Sequence, residues 1–391
     1  MVSSERPLLE GVTVLDLSTV GPASRATRLL ADYGARVVKV GPPPGSVAAP
    51  QLPPFFAYGA QRSMRKVKIA LKEPEGREAF LALAGRADVV VESFRPGTAD
   101  RLGIGYEAVR ARNRGVVYCS TSGYGASGPR SKWAGHDLDY LAVGGYLAMT
   151  EPAAGGRPPI PGATVADAAA GGMQAALAVV AALFRRTATG EGTFLDVSVT
   201  DGVLWLMALA VDEYLATGEE PAPGHDVLSG RYACYGTYRT GDGRWLAVAA
   251  IEAKFFANLC EALGCEKWAP HQYDDDVQED VRSALAAAFA TRDRDAWVSE
   301  LCATDTCVAP VQSISELATD EQFAFSSSLV EAKSDRHGSF RQVGAVLAGM
   351  TPLEEPVQVP DEDATHTEEL LVEAGYDGSR VGELRDRGIV A

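Results

Sequence analysis

Basic residues are scarce in this 391-residue chain: 36 lysines and arginines stand against 52 aspartates and glutamates, a formal net charge of −16. That balance excludes nucleic acid as a partner, because phosphate backbones select basic surfaces. It also requires any anionic ligand to find a local cluster of positive charge. Histidine is scarcer still, with five residues, and the six cysteines (Cys119, Cys234, Cys260, Cys265, Cys302 and Cys307) form no CxxC pair. Neither a zinc ribbon nor a thioredoxin-like motif can be built from them, so reduced, buried thiols and no metal site are expected. No run of eighteen apolar residues exists, which argues against a membrane span. The opening MVSSERPLLEGV has neither the basic region nor the long apolar region of a secretory leader, so a cytoplasmic protein with no membrane partner is expected. No GxGxxG follows the first strand-like run, no GxxxxGKS/T occurs and no GxSxG is present. Dehydrogenase, NTPase and serine-hydrolase chemistry thereby lose their usual signatures.

What is present is an ordinary globular composition, with 46% hydrophobic and 23% charged residues, enough to bury a large core. VTVLDL (12–17) reads as a strand, GPAS (21–24) as a turn into the helix RATRLLADYG, and ARVVKV as the next strand. Gly34 is placed to end that helix. PEGREAFLALAGRA then ADVVVESF, and YEAVRARN then GVVYCSTSGYG, repeat the alternation. Such β–α alternation predicts an α/β, doubly wound parallel sheet with helices on both faces. TVADAAAGGMQAALAVVAALFRR is apolar nearly all round and is expected to be a buried helix, followed by a second in TDGVLWLMALAVDEYLATG. YACYGTYRTGDGRWLAVAAI reads as a hairpin closed at Gly-Asp-Gly, with helices expected near 253–264 and 279–302. The acidic run 274–276 reads as a helix start favoured by the dipole. The domain reading is therefore a large domain over 1–200, a helical linker over 201–229, a smaller α+β domain over 230–325, and a return segment over 326–391 completing the large domain.

Few residues can carry chemistry. His225, His271, His337 and His366 lie in polar, loop-like stretches, whereas His136 follows the turn-rich SGYGASGPRSKW and sits in WAGHDLDYLAVGG. A Gly-flanked His-Asp pair beyond a parallel strand is where doubly wound folds bind ligands, although a structural histidine fits the same pattern. Asp167 lies near the start of the small-residue helix, where unpaired N–H groups together with Gly171 and Gly172 suit a developing anion. A carboxylate among alanines and glycines is partly desolvated and becomes a better base; an ordinary helix cap is the alternative. Arg62, Arg65, Lys66, Lys68 and Lys72 cluster after the proline-rich stretch PPPGSVAAPQLPP, and Arg95 follows a strand in ESFRPG. They form either the required positive patch or a solvated charge run.

Taken in order, LEGVTVLDLSTVGPASRATRLLADYGARVVKV, ADVVVESFRPGTADRLGIGYE, TSGYGASGPRSKWAGHDLDYLA, GEGTFLDVSVTDG, YACYGTYRTGDGRWLAVAAIEAKFF and ATHTEELLVEAGYD give a likeness from end to end. The chain resembles the family III CoA-transferases, also called CaiB/BaiF, and within them the α-methylacyl-CoA racemases. The resemblance implies epimerisation of 2-methyl-branched acyl-CoA thioesters by proton transfer through an enolate. His136 in GHDLDY and Asp167 would be the two opposing acid/base groups, and Glu252 in AAIEAKFF would pair with the histidine. It further implies CoA contacts from Arg95, Asp137 and Tyr140 and from Lys39, Arg62, Arg65 and Lys66, with coenzyme A entering as part of the substrate and no other cofactor. An interlocked homodimer is implied, with each active site between one subunit's large domain and the other's small domain. The alternative within the family is a CoA-transferase moving CoA between carboxylic acids with Asp167 as nucleophile. Two departures stand out: Gly41-Pro42 follows VVKV where relatives carry an acidic or Asp-Arg element, and ADAAAG (166–171) stands where racemases often have GDFGGG. The first bears on the adenosine contacts, the second on the shape of the pocket.

Overall fold

The computed structural model describes residues 6–45, 61–152, 156–361 and 363–391. Most of the proline-rich stretch 42–54 falls outside them. Six strands, β1 (Thr13–Asp16), β2 (Arg36–Gly41), β3 (Arg65–Lys68), β4 (Val89–Glu92), β5 (Val117–Ser122) and β6 (Thr193–Ser198), form one sheet in the order β3-β2-β1-β4-β5-β6. Every neighbouring pair is parallel. The chain winds outward from β1 to β3 and then returns to β4, so the strand order reverses between β1 and β4. In such sheets the crevice at the carboxyl ends of those two strands is the place for a ligand.

Alternation along each strand explains the two covered faces. Val14, Val37, Val89, Val91, Val117 and Cys119 point to one face, where the helices Gly21–Asp32 and Gln174–Thr189 bury Ala23, Ala26, Leu30, Ala175 and Val179. Leu15, Val38, Val40, Val90 and Tyr118 point to the other, against Phe80 of the helix Pro74–Ala84 and Leu370, Leu371, Val381 and Leu384 of the tail helices Thr367–Glu373 and Gly378–Asp386. Each fully buried large apolar side chain contributes about 1.5–3 kcal/mol.

The residues GPAS are not a turn before the first helix. They are its first turn, with Pro22 in the position where a missing N–H costs nothing. The helix expected to be buried all round has one open side: Leu177 is 72% and Phe184 79% exposed, with Met173 and Val180 beside them. Its first residues, Ala166–Met173, are π-helical and lead without a break into Gln174–Thr189. The 24-residue helix Ala166–Thr189 is long and apolar enough, by length and composition alone, to cross a membrane, which a search for uninterrupted apolar runs passes over. Its buried residues pack on the sheet.

The chain divides into two compact units, Met1–Tyr146 with Ile160–Val211 and Glu321–Ala391, and Leu147–Pro159 with Asp212–Asp320. Residues 147–159, expected in the large domain, thus group with the second unit, and the expected linker 201–229 is divided at Val211. In the first unit a further sheet, order β11-β10-β12, is built from β10 (Leu329–Ser334), β11 (Gly338–Val343) and β12 (Val357–Gln358). In the second unit β7 (Tyr235–Arg239) and β8 (Trp245–Ala249) form the expected hairpin, and β9 (Val308–Pro310) adds a third antiparallel strand. The helix expected over 279–302 is two helices, Gln278–Phe289 and Arg294–Leu301. Asp293 adopts an extended backbone at the start of the second, and Trp297 ties the pair together by donating to the Phe289 carbonyl at 3.0 Å. The acidic run does open a helical region, with the Asp274 carboxylate accepting the Asp276 N–H at 3.2 Å.

Gly202, on the helix Val199–Leu206, lies against the backbone of the π-helical segment: a Cβ there would sit 2.1 Å from the Ala170 carbonyl oxygen. Gly382, in the helix Gly378–Asp386, has open space around it. Gly202→Ala is therefore expected to cost about 3 kcal/mol or more, whereas Gly382→Ala is expected to be neutral or to stabilise by up to about 1 kcal/mol. Urea denaturation midpoints of the two variants check the contrast.

Candidate active site

The end of β5 leads through Gly123 and Tyr124 to Gly135, His136 and the helix Asp137–Val143. The buried Tyr140 ring organises this turn. A Cβ on Gly123 would lie 2.3 Å from the ring and one on Gly135 2.8 Å from it, so glycine is required at both places. Tyr140 donates its hydroxyl to the Gly135 carbonyl and meets the Tyr124 ring edge-on at 5.4 Å. His136 is the residue before the helix, its backbone N–H donating to the Asp139 carboxylate at 2.9 Å. Its imidazole is exposed.

Asp137 joins that helix to Asp167. Its Oδ1 accepts the Asp167 backbone N–H at 2.8 Å. Asp167 is not a helix cap: Val165 precedes the π-helical segment, already in helical conformation, and Asp167 is the second residue inside it. One carboxylate oxygen, Oδ2, lies beside Gly21, where a Cβ would approach it to 3.9 Å. Gly171 and Gly172 also serve packing. A Cβ on Gly171 would lie 2.5 Å from that of Pro22, and one on Gly172 2.6 Å from that of Arg25, so both let the helix Gly21–Asp32 press against the segment. Interruptions of this kind inside α-helices recur at functional sites.

Burial pushes the Asp167 carboxyl up to about 6, and the Asp137 carboxylate adds to the rise, while Arg25 and His136 oppose it. A carboxyl raised to that value is a stronger base than an ordinary aspartate and lies closer to neutral pH, where proton transfer in both directions is efficient. The Tyr140 phenol is pushed up to about 12, chiefly by burial and then by Asp167, so it stays neutral. His136, Asp137, Tyr140 and Asp167 are thus brought together. Arg25 acts on the same carboxyl and was missed by sequence reasoning, which read the stretch GPASRATRLLADYG that contains it only as a turn and a helix. The one available signal was its position in the first turns of the helix after β1.

The expected basic patch has a different structure. Lys39 is buried and donates to Asp16 Oδ2 at 2.9 Å and to the Ser18 carbonyl at 2.7 Å. Arg62 is 1% exposed and grips Asp32 through Nη2 at 2.8 Å, with the Val343 carbonyl as a further acceptor. Arg65 pairs with Glu369 at 2.6 Å, and buried Lys66 donates to the Asp361 carbonyl at 2.7 Å. All four are engaged in holding the sheet and the tail. Arg95 differs: it is exposed after β4 and has no side-chain partner among the described residues. Glu252 belongs to the second unit, exposed at the start of the helix Ala253–Ala262, and its negative charge acts on Tyr273 and Cys307. His225 pairs with Glu213 and His271 with Asp274, while His366 Nδ1 accepts the Lys66 N–H. All six cysteines are free, but only three are buried; Cys302 and Cys307 are exposed. Among the described residues no group of three His, Cys, Asp or Glu is placed to hold a metal ion.

Residues 9–363 match the family model described as CoA-transferase family III. The chain belongs to this family. It is 32% identical over 384 residues to an alpha-methylacyl-CoA racemase of Homo sapiens, covering 98% of this chain and 97% of that one. A succinyl-CoA:glutarate CoA-transferase of Homo sapiens is 27% identical over 396 residues, covering 98% and 90%. The crystal structure of a CaiB/BaiF family protein from Brucella suis shares the fold, with a TM-score of 0.77 and 23% identity over 97% of this chain and 99% of that one. Both reactions therefore occur among relatives of this family III enzyme, and the racemase relative shares the greater identity of these two.

The raised Asp167 carboxyl has a consequence for stability. An unfolded aspartate ionises near 3.8 and the folded one near 6, so across that window the folded state alone keeps the proton and stability falls as pH rises. Above it the buried charge is a constant penalty. Asp167→Asn is expected to exceed the parent in stability at pH 8 by about 1 kcal/mol, allowing for screening of a half-buried group. At pH 4 the difference is expected to vanish, and denaturation at the two pH values checks it.

Proposed function

We propose that this family III enzyme epimerises the α-carbon of 2-methyl-branched acyl-CoA thioesters, with Asp167 and His136 as opposing acid/base groups. The observation that carries the reading is a half-buried carboxyl ionising near 6 within electrostatic reach of an exposed imidazole, both anchored through Asp137. The racemase relative at 32% identity supports it. In one direction the Asp167 carboxylate takes the proton from C2, and the C–H electron pair moves into the thioester to give an enolate. The His136 imidazolium then returns a proton to the opposite face of C2, leaving Asp167 protonated and His136 neutral. The reverse reaction exchanges the roles. Developing negative charge on the thioester oxygen must be met by fixed donors or cations in the site, and no further cofactor enters the scheme.

Arg95, Asp137 and Tyr140 are the CoA-contacting residues in this reading; Arg95, exposed and without a side-chain partner among the described residues, is a cation that a phosphate can meet. The enzyme would work in the cytoplasm as an interlocked homodimer in which Glu252 comes to His136 and fixes its tautomer. Exposed apolar side chains on the first unit, among them Phe184, Leu177 and Trp205, support a covering partner. The second reading, transfer of CoA between carboxylic acids through an acyl-Asp167 anhydride and an aspartyl-CoA thioester, is favoured by the transferase relatives.

One epimer of a 2-methylacyl-CoA, incubated in D₂O without an acceptor acid, is expected to gain deuterium at C2 and lose stereochemical purity. Protiated C2, with CoA moving only after a carboxylic acid is added, would instead establish the transferase. Asp167→Ala and His136→Ala are each expected to lower epimerisation by roughly 10²–10⁴-fold, and Glu252→Gln by about tenfold. Epimerisation at the parental rate by His136→Ala would remove the two-base scheme.

A further inference from the structure

Strand β4 ends at Glu92, whose side chain lies buried at the crevice where the strand order of the sheet reverses. It takes no part in the proton transfers. The side chain folds forward onto its own backbone, with Oε2 accepting the Phe94 N–H at 2.6 Å. Ser120, opposite Glu92 in the register of β5, donates its hydroxyl to the same carboxyl. Burial pushes this carboxyl up, and Asp100 and Asp196 nearby add to the rise. Glu92 makes no ion pair among the described residues. A buried carboxyl beside like charges costs stability, and local costs of that kind gather where function requires them.

The chain just beyond is held as firmly. Phe94 packs against the core on the face covered by the helix Pro74–Ala84. The Arg95 carbonyl accepts the Thr98 N–H at 3.0 Å, closing a four-residue turn with Pro96 second and Gly97 third. Gly97 has a φ of +77°, which suits the third place of a type II turn. Arg95 thus stands between two fixed points, a carboxyl clamp on the residue before it and a turn that begins on its own carbonyl. Its side chain meanwhile is exposed and has no partner among the described residues. A cation on a held backbone loses less freedom on meeting an anion than one on a loose loop.

We propose that Glu92 is a positioning residue for coenzyme A binding: by clamping the Phe94 N–H it holds Arg95 at the crevice for the phosphates of the substrate. This rests on Arg95 being a CoA contact, as the proposed function has it.

Free coenzyme A is titrated into the full chain by isothermal calorimetry, a readout that needs no turnover. Arg95→Ala is expected to weaken binding about tenfold. Glu92→Leu, which keeps the volume and removes the acceptor, is expected to weaken it about three- to tenfold. Glu92→Gln keeps an acceptor for the Phe94 N–H and can still bond the Ser120 hydroxyl, so its binding is expected to stay within about twofold of the parent. In the Arg95→Ala background, Glu92→Leu is expected to cost less than about twofold more, because the clamp then has no cation to place. A merely structural role would give the same loss in both backgrounds. Ser120→Ala, expected to weaken binding about threefold, is carried through the same cycle, so the test stands even where Glu92→Leu does not fold. Parental binding in the Glu92→Leu and Ser120→Ala variants, or an equal loss with and without Arg95, would overturn the proposal and leave the role of Arg95 intact. Parental binding in Arg95→Ala would remove the reading of Arg95 and the proposal with it.

Discussion

Backbone contact between the segment Ala166–Met173 and the helices on either side of it decides where Asp167 lies. Gly171 and Gly172 admit Pro22 and Arg25 on one flank, and Gly202 rests on the Ala170 carbonyl on the other. With only hydrogen at the three glycines, the pieces approach more closely than any other residue there would allow. Asp137 then joins the remaining helix to the same point through the Asp167 N–H. The carboxylate is consequently fixed by main chain on several sides, and its desolvation follows from that enclosure rather than from an apolar pocket of large side chains. A methyl group at position 202 or 172 would push on the segment that carries the Asp167 carboxyl.

The large sheet was legible in the sequence because buried parallel strands must be apolar on both faces, and VVVE and VYCSTS fit nothing else well. The smaller strands were not. β12 has two residues and β9 three, too short for any period, and the alternation in GSFRQV faces mostly outward. For the site, periodicity and spacing left His136 and Asp167 as open alternatives, and it was the resemblance that assigned them roles. The basic cluster misled for a simple reason: a sequence shows a charge but not its partner. Asp32, Glu369 and Asp361 lie from 30 to about 300 positions from the cations they hold. Arg25 was overlooked by the same blindness, since the glycine against which its Cβ packs is 147 residues further on.

An acidic protein that handles an acidic substrate must keep some positive charge uncommitted. Here Lys39, Arg62 and Lys66 are buried in the frame, and their attachment to Asp16, Asp32 and the Asp361 carbonyl secures β2, β3 and the tail. Arg95 after β4, by contrast, is exposed and has no side-chain partner among the described residues. Arg25 lies near the switch point of the sheet, in the first turns after β1. Desolvating a paired charge and presenting an unpaired one are different uses of the same residue type, and this chain separates them by burial.

The Tyr140 ring occupies space that a side chain would otherwise take at both Gly123 and Gly135, and its hydroxyl is tied to the latter. Any side chain at position 123 or 135 would have to displace that ring, and with it the turn that sets His136 at the start of the helix Asp137–Val143.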